Sequence, residues 1–558
     1  MLGELKRFDQ ALANYNQAIA IKPDDARAFY NRGNALKELK RFDEAREDYD
    51  QAISLKRDFA ADAFDNRGAV LAELGRFDEA LASYNQAIAL VPDHKFAFSG
   101  SADCAIKQCD WTRRDELSDA LRRHVIERKS RISPFLLLGL SDDAALHRSC
   151  AMYYVQDRFG PAPQRLRSGA IRRNDKIRIA YLSSDFRRHA VAYLVAELFE
   201  RHDRAKFEVL GVSFGADDGS DMRSRLMAGF DRFIDVGTQT DQEVARLIND
   251  LQVDIAVDLN GHTQDARLGI LAFRPAPIQV SYLGYPGTTG ADFIDYIIAD
   301  ATVLPFDQQP HYTENIVHLP DCYQANDRQR PIASYTPTRE ELGLPAEGLV
   351  FCCFNNIWKI APPVFDVWMR LLNAVEPSVL WLANANDAAV ENLKRAAAAQ
   401  GVDPMRLVFA PRVDRLEDHL ARHRVADLFL DTLPYNAHTT ASDALWAGLP
   451  VLTCRGNAFA GRVAASLINA VGLSELATES LAEYEALALR LATDASLLRG
   501  LRKRLERNRL EFPLFDTDRF CRNIETAYTT MWEFWQRGEK PRSFSVTPEG
   551  GDQALRGK

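Results

Sequence analysis

The sequence has no apolar run of about 18 residues, so it predicts no membrane-spanning helix. Its first residues, MLGELKRFDQ, are charged and lack the apolar core of a secretory signal peptide. The eight cysteines form no CxxC pair and no Cys/His ladder, which favours reduced, buried thiols over disulfides or a zinc site. The net charge of −9 comes without a basic stripe, so a nucleic acid partner is not expected. These absences predict a cytoplasmic protein that contacts neither membrane nor nucleic acid.

What is present is an ordinary globular composition, 46% hydrophobic and 26% charged, over 558 residues. A chain of this length is too long for one hydrophobic core, so two to four domains are expected.

The first hundred residues contain an internal repeat. The segment ELKRFDQALANYNQAIAIKP recurs as ELKRFDEAREDYDQAISLKR and as ELGRFDEALASYNQAIALVP, with a period of 34 to 35 residues. This period, with two helices per copy, is typical of tetratricopeptide repeats. In each copy a Phe and a Tyr seven residues apart lie on one helix face, which predicts packing between helices rather than a cofactor site.

The first copy lacks its leading helix, which predicts either an upstream start or another element or subunit that covers the exposed face. Three roles are open for the repeats: recognition of a peptide or protein on the concave face, formation of a homodimer, or simple support of the next domain.

The segment LDTLPYNAHTTASDALWAGLPV, residues 430–451, joins a buried strand to a helix through a short loop. Ligands of α/β sheets bind at such strand ends. Thr439 and Thr440 stand where a helix begins, so two hydroxyls and free N–H groups at the positive end of the helix dipole suit a pyrophosphate. An ordinary capped helix with a solvated loop is the alternative.

Strand and helix patterns alternate through most of the remaining chain, which predicts parallel, doubly wound sheets. Two Rossmann-like halves that face each other across a cleft would form the GT-B architecture. The sequence therefore predicts repeats over residues 1–100, a helical connector over 101–173, a first α/β half on the acceptor side over 174–345, a second half that binds the nucleotide over 346–540, and a disordered tail over 541–558.

Six motifs behind the repeats resemble, in this order, those of the O-linked N-acetylglucosamine (O-GlcNAc) transferases, a family that also includes the SPINDLY-type protein O-fucosyltransferases. The motifs are SSDFRRHA, DLNGHTQDARLG, RPAPIQVSYLGYPGTTG, FCCFNNIWKI, LFLDTLPYNAHTTASDALWAG and FAGRVAAS. The resemblance covers nearly the whole chain. It implies an enzyme that transfers GlcNAc from UDP-GlcNAc to Ser or Thr of proteins.

The resemblance also implies a donor site in the second half. Lys359 matches the lysine that contacts the donor diphosphate, and Thr439 and Thr440 match the phosphate-binding threonines. Asn356 matches an amide near the phosphates, and His419 and Arg422 match the uridine-contacting His and Arg. Asp443 matches the ribose-binding aspartate. His438 and Gly284 match two positions that line the sugar pocket. Tyr435 stands where the animal enzymes have Cys. A further positive charge beside the uridine base of the donor comes from either Arg412 or Arg415.

On the acceptor side the resemblance implies that His189 is essential, since it matches the histidine first proposed as the catalytic base. His262 and Asp258 lie on a neighbouring loop and are the other candidate catalytic residues. A His near neutral pKa can accept a Ser or Thr proton. An aspartate or the donor phosphate remains an alternative base.

The resemblance implies direct displacement with inversion and no metal, because a lysine and a helix N-terminus take the place of a divalent ion. The motif Asp516-Thr-Asp518 lies before the last helix and in no cleft loop. The repeat array is short, and no long domain separates the two α/β halves. Both features match compact bacterial members of the family. Transfer of fucose from GDP-fucose, or a repeat scaffold with a vestigial transferase, are the alternative functions.

Overall fold

The computed structural model describes residues 8–55, 59–112, 114–160, 165–166 and 174–547. These residues form two compact units, one that runs to Leu137 and includes Thr238–Thr240 and Asn386–Leu393, and one that holds the rest. The end of the predicted helical connector, residues 161–164 and 167–173, and the last eleven residues lie outside the described residues.

The first unit is built from antiparallel helix pairs. Its helices are α1 Phe8–Ile21, α2 Ala26–Glu38, α3 Phe42–Leu55, α4 Ala60–Glu73, α5 Phe77–Leu90, α6 Ala97–Lys107 and α7 Arg114–Glu127. The helix α8, Pro134–Leu138, follows.

The repeated tyrosines pack between helices, as the sequence predicts. Tyr49 is fully buried, and a Cβ atom at Gly33 would lie only 2.8 Å from its ring. Tyr84 contacts Gly68 in the same way and also reaches Gly100 in α6. The packing of the repeats therefore includes α6, because that helix supplies the glycine that accommodates Tyr84.

The second unit begins with α9, Ala144–Phe159, and contains two parallel sheets. The first sheet and its flanking helices comprise β1 Ile177–Ser183, α10 Ala190–Arg201, β2 Phe207–Ser213, α11 Asp221–Gly229, β3 Arg232–Asp235, α12 Asp241–Asp250, β4 Ile255–Asp258, α13 Gly269–Ala272, β5 Ile278–Ser281, β6 Tyr296–Asp300 and β7 Asn315–Leu319.

The second sheet and the remaining elements comprise β8 Leu349–Cys353, α14 Pro362–Ala374, β9 Ser378–Leu382, α15 Asp387–Ala399, β10 Leu407–Phe409, α16 Leu416–Arg422, β11 Leu428–Leu430, α17 Thr439–Trp446, β12 Val451–Cys454, α18 Val463–Ala470, β13 Ala477–Thr478, α19 Leu481–Thr493, α20 Ala495–Glu511, α21 Thr517–Gln536 and β14 Phe544–Ser545.

The strand order is β14-β7-β6-β5-β4-β1-β2-β3 in the first sheet and β10-β9-β8-β11-β12-β13 in the second. All strand pairs are parallel; in the first sheet, for example, Ile179 pairs with Val209 on one side and Ile255 on the other. Apolar residues of β1, β2 and β4 are buried together under α12 and α13. The predicted fold class, helical repeats followed by parallel α/β domains, is thus the one observed.

Two expectations about the C-terminus need correction. The last helix, α21, was assigned to the second half, but it packs against α10 and strands of the first sheet, where Glu525 bonds His202 Nδ1 at 3.0 Å. The predicted disordered tail also begins too early. Phe544 lies edge-on to Tyr296, and the N–H of Val546 donates to the carbonyl of His318 at 2.8 Å, so residues 544–546 are held on β7.

Within the part of the chain that the structure describes, no helix is both long and apolar enough to cross a bilayer. All eight cysteines are free and buried, in agreement with the expected reduced thiols.

Candidate active site

The N-terminus of α17 lies at the end of β11, where the sequence predicts a phosphate site. Thr439 is the first helical residue, and the first intrahelical bond runs from the N–H of Ser442 to the carbonyl of His438. The N–H groups of Thr439, Thr440 and Ala441 therefore have no partner within the helix. Together with the helix dipole they form a site that favours an anion.

The ammonium of Lys359 lies beside this helix start. Lys359 ends a short 3-10 turn after β8, and its Nζ donates to the carbonyl of Asn436 at 2.9 Å. The same nitrogen lies 4.0 Å from the ring centroid of Tyr435, a cation–π contact. Burial and the charge of Lys359 both lower the pKa of His438, the residue that precedes α17.

Burial lowers the pKa of Lys359 to about 8, and the neighbouring Asp431 opposes that change. The pKa of Asp431 is raised to about 6 by its own burial. An incoming diphosphate would favour the charged ammonium, because opposite charges at close range stabilise each other. The site therefore holds a cation that is incompletely compensated until an anion binds.

A buried hydrogen-bond network fixes the loop between β11 and α17. Asp431 Oδ1 accepts from the N–H of Ala437 at 2.6 Å and from Asn355 Nδ2 at 3.0 Å, and its Oδ2 accepts from Thr453 at 2.6 Å. The hydroxyl of Thr440 donates to Asn355 Oδ1. Since a hydroxyl has one hydrogen, the donors that the start of α17 leaves for a phosphate in this arrangement are the Thr439 hydroxyl and the backbone N–H groups.

Tyr435 and His438 form one wall of this site. Their rings stack with centroids 4.7 Å apart, and His438 Nε2 lies 3.1 Å from the carbonyl oxygen of Ala460. Trp358 meets Tyr435 edge to face at 5.2 Å. Tyr435 thus contacts both the ammonium of Lys359 and the ring of His438.

The predicted nucleoside contacts lie on α16 and α17. Arg422 and His419 are on one face of α16, with Arg422 Nη2 and His419 Nδ1 2.6 Å apart. The guanidinium of Arg422 lies 4.4 Å from the ring centroid of Phe354, and burial lowers its pKa to about 10. His419 Nε2 lies 3.9 Å from Asp443 Oδ2, so α16 and α17 bring these side chains together. Arg415 is exposed and pairs with Glu417 instead.

On the first sheet, His189 caps the start of α10. Its Nδ1 accepts from the N–H of Val191 at 3.3 Å and lies 3.6 Å from Asp185 Oδ2. Burial lowers the pKa of His189, while the charge of Asp185 opposes that change, so the imidazole is neutral near pH 7. Asn260 Nδ2 donates to the same carboxylate oxygen of Asp185 at 2.8 Å and thereby joins the loops after β1 and β4.

The loop after β4 holds the other predicted acceptor-side residues. Asp258 accepts from the N–H of Gly261 at 2.7 Å, and burial raises its pKa to about 6. His262 Nε2 donates to the carbonyl of Thr289 at 2.7 Å, and burial lowers the pKa of the ring to about 4. These contacts order the loop, whereas the catalytic roles of both residues stay predictions.

Gly284 lies against the same loop. A Cβ atom there would lie 1.9 Å from the carbonyl oxygen of Leu259, so no other residue fits without moving the backbone. The next residue, Tyr285, meets His262 edge to face at 5.1 Å. The loops of the two sheets come together nearby, where the hydroxyl of Ser466 in α18 donates to Asp300 Oδ2 at the end of β6 at 2.6 Å.

The carboxylate of Asp443 also acts on two further groups, Tyr193 of α10 and Arg330. Burial and several charges, among them Asp443, raise the pKa of Tyr193, four residues after His189. Arg330, in the segment between the sheets, donates from Nη1 to Asp443 Oδ1 at 2.5 Å.

Sequence reasoning missed Arg330 and Asn355. Asn355 was visible in the motif FCCFNN, but the exposed Asn356 beside it was selected, and Asn356 has no side-chain bond to its own turn. β8 is buried on both faces, so no alternation along it distinguishes the buried Asn355 from the exposed Asn356. No local signal distinguishes Arg330, because its partner lies more than a hundred residues away.

One group of potential metal ligands lies apart from these loops. His202, Cys521 and Glu525 place one donor atom each within 4.8 Å of one another. Glu525 accepts from His202 and from the thiol of Cys521, so hydrogen bonds account for the group. The motif around Thr517 lies at the start of α21, where Asp516 caps the helix.

Comparisons with known proteins identify the family. Residues 147–335 and 325–524 match Glycosyl transferase family 41, and residues 2–40, 26–59 and 61–94 match tetratricopeptide repeats. The chain is 38% identical over 425 residues to the probable UDP-N-acetylglucosamine–peptide N-acetylglucosaminyltransferase SEC of Arabidopsis thaliana, covering 74% of this chain and 43% of that protein. It is 34% identical over 372 residues to the probable transferase of the same kind called SPINDLY in Oryza sativa subsp. japonica, covering 65% of this chain and 40% of that protein.

The solved structure of a lysine-to-methionine mutant of the Thermobaculum terrenum O-GlcNAc transferase matches with a TM-score of 0.72 and 28% identity. That match covers 95% of this chain and 98% of the other. The chain spans less than half the length of the curated relatives named above. The residues that match the family model make up more than half of the sequence, so the chain belongs to glycosyl transferase family 41.

Proposed function

We propose that this protein transfers GlcNAc from UDP-GlcNAc to Ser or Thr hydroxyls of proteins. The observation that carries the proposal is the Lys359 ammonium beside the N-terminus of α17, within reach of Tyr435 and the Asn436 carbonyl. Two independent sources of positive potential at one point suit the diphosphate of a nucleotide sugar.

In this proposal the nucleoside extends from the diphosphate toward α16. Asp443 accepts from the ribose hydroxyls, while His419 and Arg422 contact uridine. Support comes from the short distances that join these three side chains. His438 and Gly284 line the sugar pocket, and the stack of His438 on Tyr435 fixes the imidazole there.

The reaction is a single displacement with inversion. The acceptor oxygen forms a bond to the anomeric carbon as the bond from that carbon to the diphosphate oxygen breaks, and the hydroxyl proton passes to a base. Lys359 and the N–H groups of α17 offset the charge that develops on the leaving UDP. We therefore infer that the reaction needs no metal.

We infer that His189 is essential and neutral when the acceptor binds. Its Nδ1 accepts a backbone N–H, which places the proton of the neutral ring on Nε2. To act as the base through Nε2, the ring must give up the 3.3 Å bond to Val191 and turn Nδ1–H toward Asp185, now 3.6 Å away. Without that shift an aspartate or the donor phosphate takes the proton.

A panel of nucleotides tests the proposal by thermal shift of the full chain. UDP and UDP-GlcNAc should raise the melting temperature, whereas GDP and GDP-fucose should not, because only a bound ligand stabilises the fold. At a hundredfold excess over Kd the stabilisation is about 2.7 kcal/mol. A shift with GDP and GDP-fucose alone would favour fucosyl transfer, and no shift with any nucleotide would favour a vestigial transferase.

We further propose that the repeats bind the acceptor protein in the cytoplasm, or pair two copies of the chain. Three matches to tetratricopeptide repeats support binding of a protein partner, and eight buried free thiols support a reducing compartment such as the cytoplasm. If the repeats bind the acceptor, KM should be lower for an intact acceptor protein than for a short peptide that contains the same Ser or Thr. Equal KM values would reject that role.

A further inference from the structure

We propose that Arg330 is a positioning residue for the donor: it holds the carboxylate of Asp443 in the orientation that receives the ribose. The inference deepens the proposed function and rests on it, since it assumes that the donor's ribose binds Asp443.

The guanidinium of Arg330 is fixed on all sides. Its side chain is 1% exposed, and Nη1 donates to Asp443 Oδ1 at 2.5 Å while Nη2 donates to the hydroxyl of Ser442 at 3.1 Å. Nε donates to the carbonyl of Asp327 at 3.0 Å, and the carbonyl of Arg330 accepts from Trp446 Nε1 at 3.0 Å. Arg330 thus bonds two consecutive residues of α17, Ser442 and Asp443, and also bonds the backbone of its own loop at Asp327.

The bond from Arg330 to Oδ1 leaves the second oxygen of the Asp443 carboxylate for a ligand. Oδ1 of Asp443 is bound by Arg330, whereas Oδ2 is the oxygen that faces His419 at 3.9 Å. A buried carboxylate needs a partner to stay ionised, and an arginine supplies both the charge and a rigid geometry. Burial raises the pKa of Asp443 and Arg330 opposes that change, so Arg330 favours the charged carboxylate. The same contact limits rotation of the carboxylate and leaves Oδ2 available to two ribose hydroxyls.

The segment that carries Arg330 is itself anchored to both halves. It runs from β7 to β8, and there Asn326 accepts from the Ser442 hydroxyl at 2.5 Å. Arg328 bonds the buried Glu197 of α10 through its N–H at 3.0 Å and its Nε at 3.2 Å. The segment consequently joins α17, which begins at the phosphate site, to α10, which begins at His189.

The experiment is a double-mutant cycle on the full chain, with UDP affinity measured by calorimetry. We expect Arg330→Met to weaken UDP binding roughly tenfold, since a hydrogen bond to a charged group is lost. In an Asp443→Asn background the same substitution should change the UDP Kd by less than about twofold, because the two residues act as one unit. At saturating donor, kcat should stay near that of wild type.

A second readout reports on the ribose itself. Wild type should bind UDP more tightly than 2′,3′-dideoxy-UDP, and Arg330→Met should lose most of that preference. Arg424→Met is the matched control, because Arg424 bonds the same segment at Ala333 outside the donor site. Its UDP affinity should equal that of wild type.

Arg330→Lys covers the case in which Arg330→Met fails to fold, because it retains the charge but not the two-pronged contact with Ser442 and Asp443. It should bind UDP less tightly than wild type. A folded Arg330 variant with wild-type UDP affinity and dideoxy preference, or an additive cycle, would overturn the positioning role and leave the proposed function standing. Failure of wild type to bind UDP would overturn the proposed function instead.

Discussion

Replacing Lys359 by Met tests the leaving-group role of the ammonium. The substitution keeps the length and most of the volume of the side chain but removes the charge that lies 2.9 Å from the Asn436 carbonyl and 4.0 Å from the Tyr435 ring. In the proposed reaction this charge is needed most when UDP departs, so kcat should fall more than donor affinity.

The expected size of the loss follows from comparable groups. Removal of one donor that stabilises developing negative charge costs about 10²- to 10³-fold in kcat, or about 2.7–4 kcal/mol. The fold should tolerate the change, because Asp431 keeps all four of its donors, from Asn355, Thr432, Ala437 and Thr453. Loss of one buried ammonium and one hydrogen bond should shift Tm by no more than about 3 °C.

The assay is transfer of radiolabelled GlcNAc to an acceptor protein at saturating donor, with Tm measured on the same samples. Lys503→Met, at an exposed position of α20, is the matched control and should keep wild-type kcat. A Lys359→Met variant that is folded and turns over within tenfold of wild type would refute the reasoning.

Three further predictions follow from the same site. UDP binding should weaken by about tenfold per pH unit above pH 8, because Lys359 with a pKa of about 8 then loses its proton; affinity that stays flat from pH 7 to 9.5 by calorimetry would contradict this. Gly284→Ala should lower both activity and Tm, since its Cβ atom would meet the Leu259 carbonyl at 1.9 Å; a fully active, equally stable variant would show that the backbone yields freely. Transfer should be unchanged in EDTA, and a strict requirement for added Mn²⁺ or Mg²⁺ in the same assay would contradict a metal-free reaction.

Most of the fold was predictable because its signals are local. The repeat period, the paired Phe and Tyr residues and the apolar strands such as Phe207–Ser213 each depend on neighbours in sequence. The strand β3 carries no strand signal, because its four residues do not alternate and none of them is fully buried at the sheet edge. The return of α21 to the first sheet was missed because its contacts, such as Glu525 with His202, join residues more than three hundred positions apart.

The candidate site divides in the same way. The helix start at Thr439 and the lysine at the end of β8 are visible from local pattern and from the family resemblance. The bond of Thr440 to Asn355 and the ion pair of Arg330 with Asp443 are tertiary contacts that no spacing rule indicates. The sequence therefore locates the loops of the site. Only the three-dimensional packing shows which side chain of each loop bonds other parts of the protein.

The most direct test of the central claim is a crystal structure of the protein soaked with UDP. We expect the diphosphate within hydrogen-bond distance of Lys359 Nζ and of the N–H groups of Thr439 and Thr440, with the ribose at Asp443 Oδ2. A nucleotide bound elsewhere, or a diphosphate that reaches these groups only through a divalent cation, would contradict it.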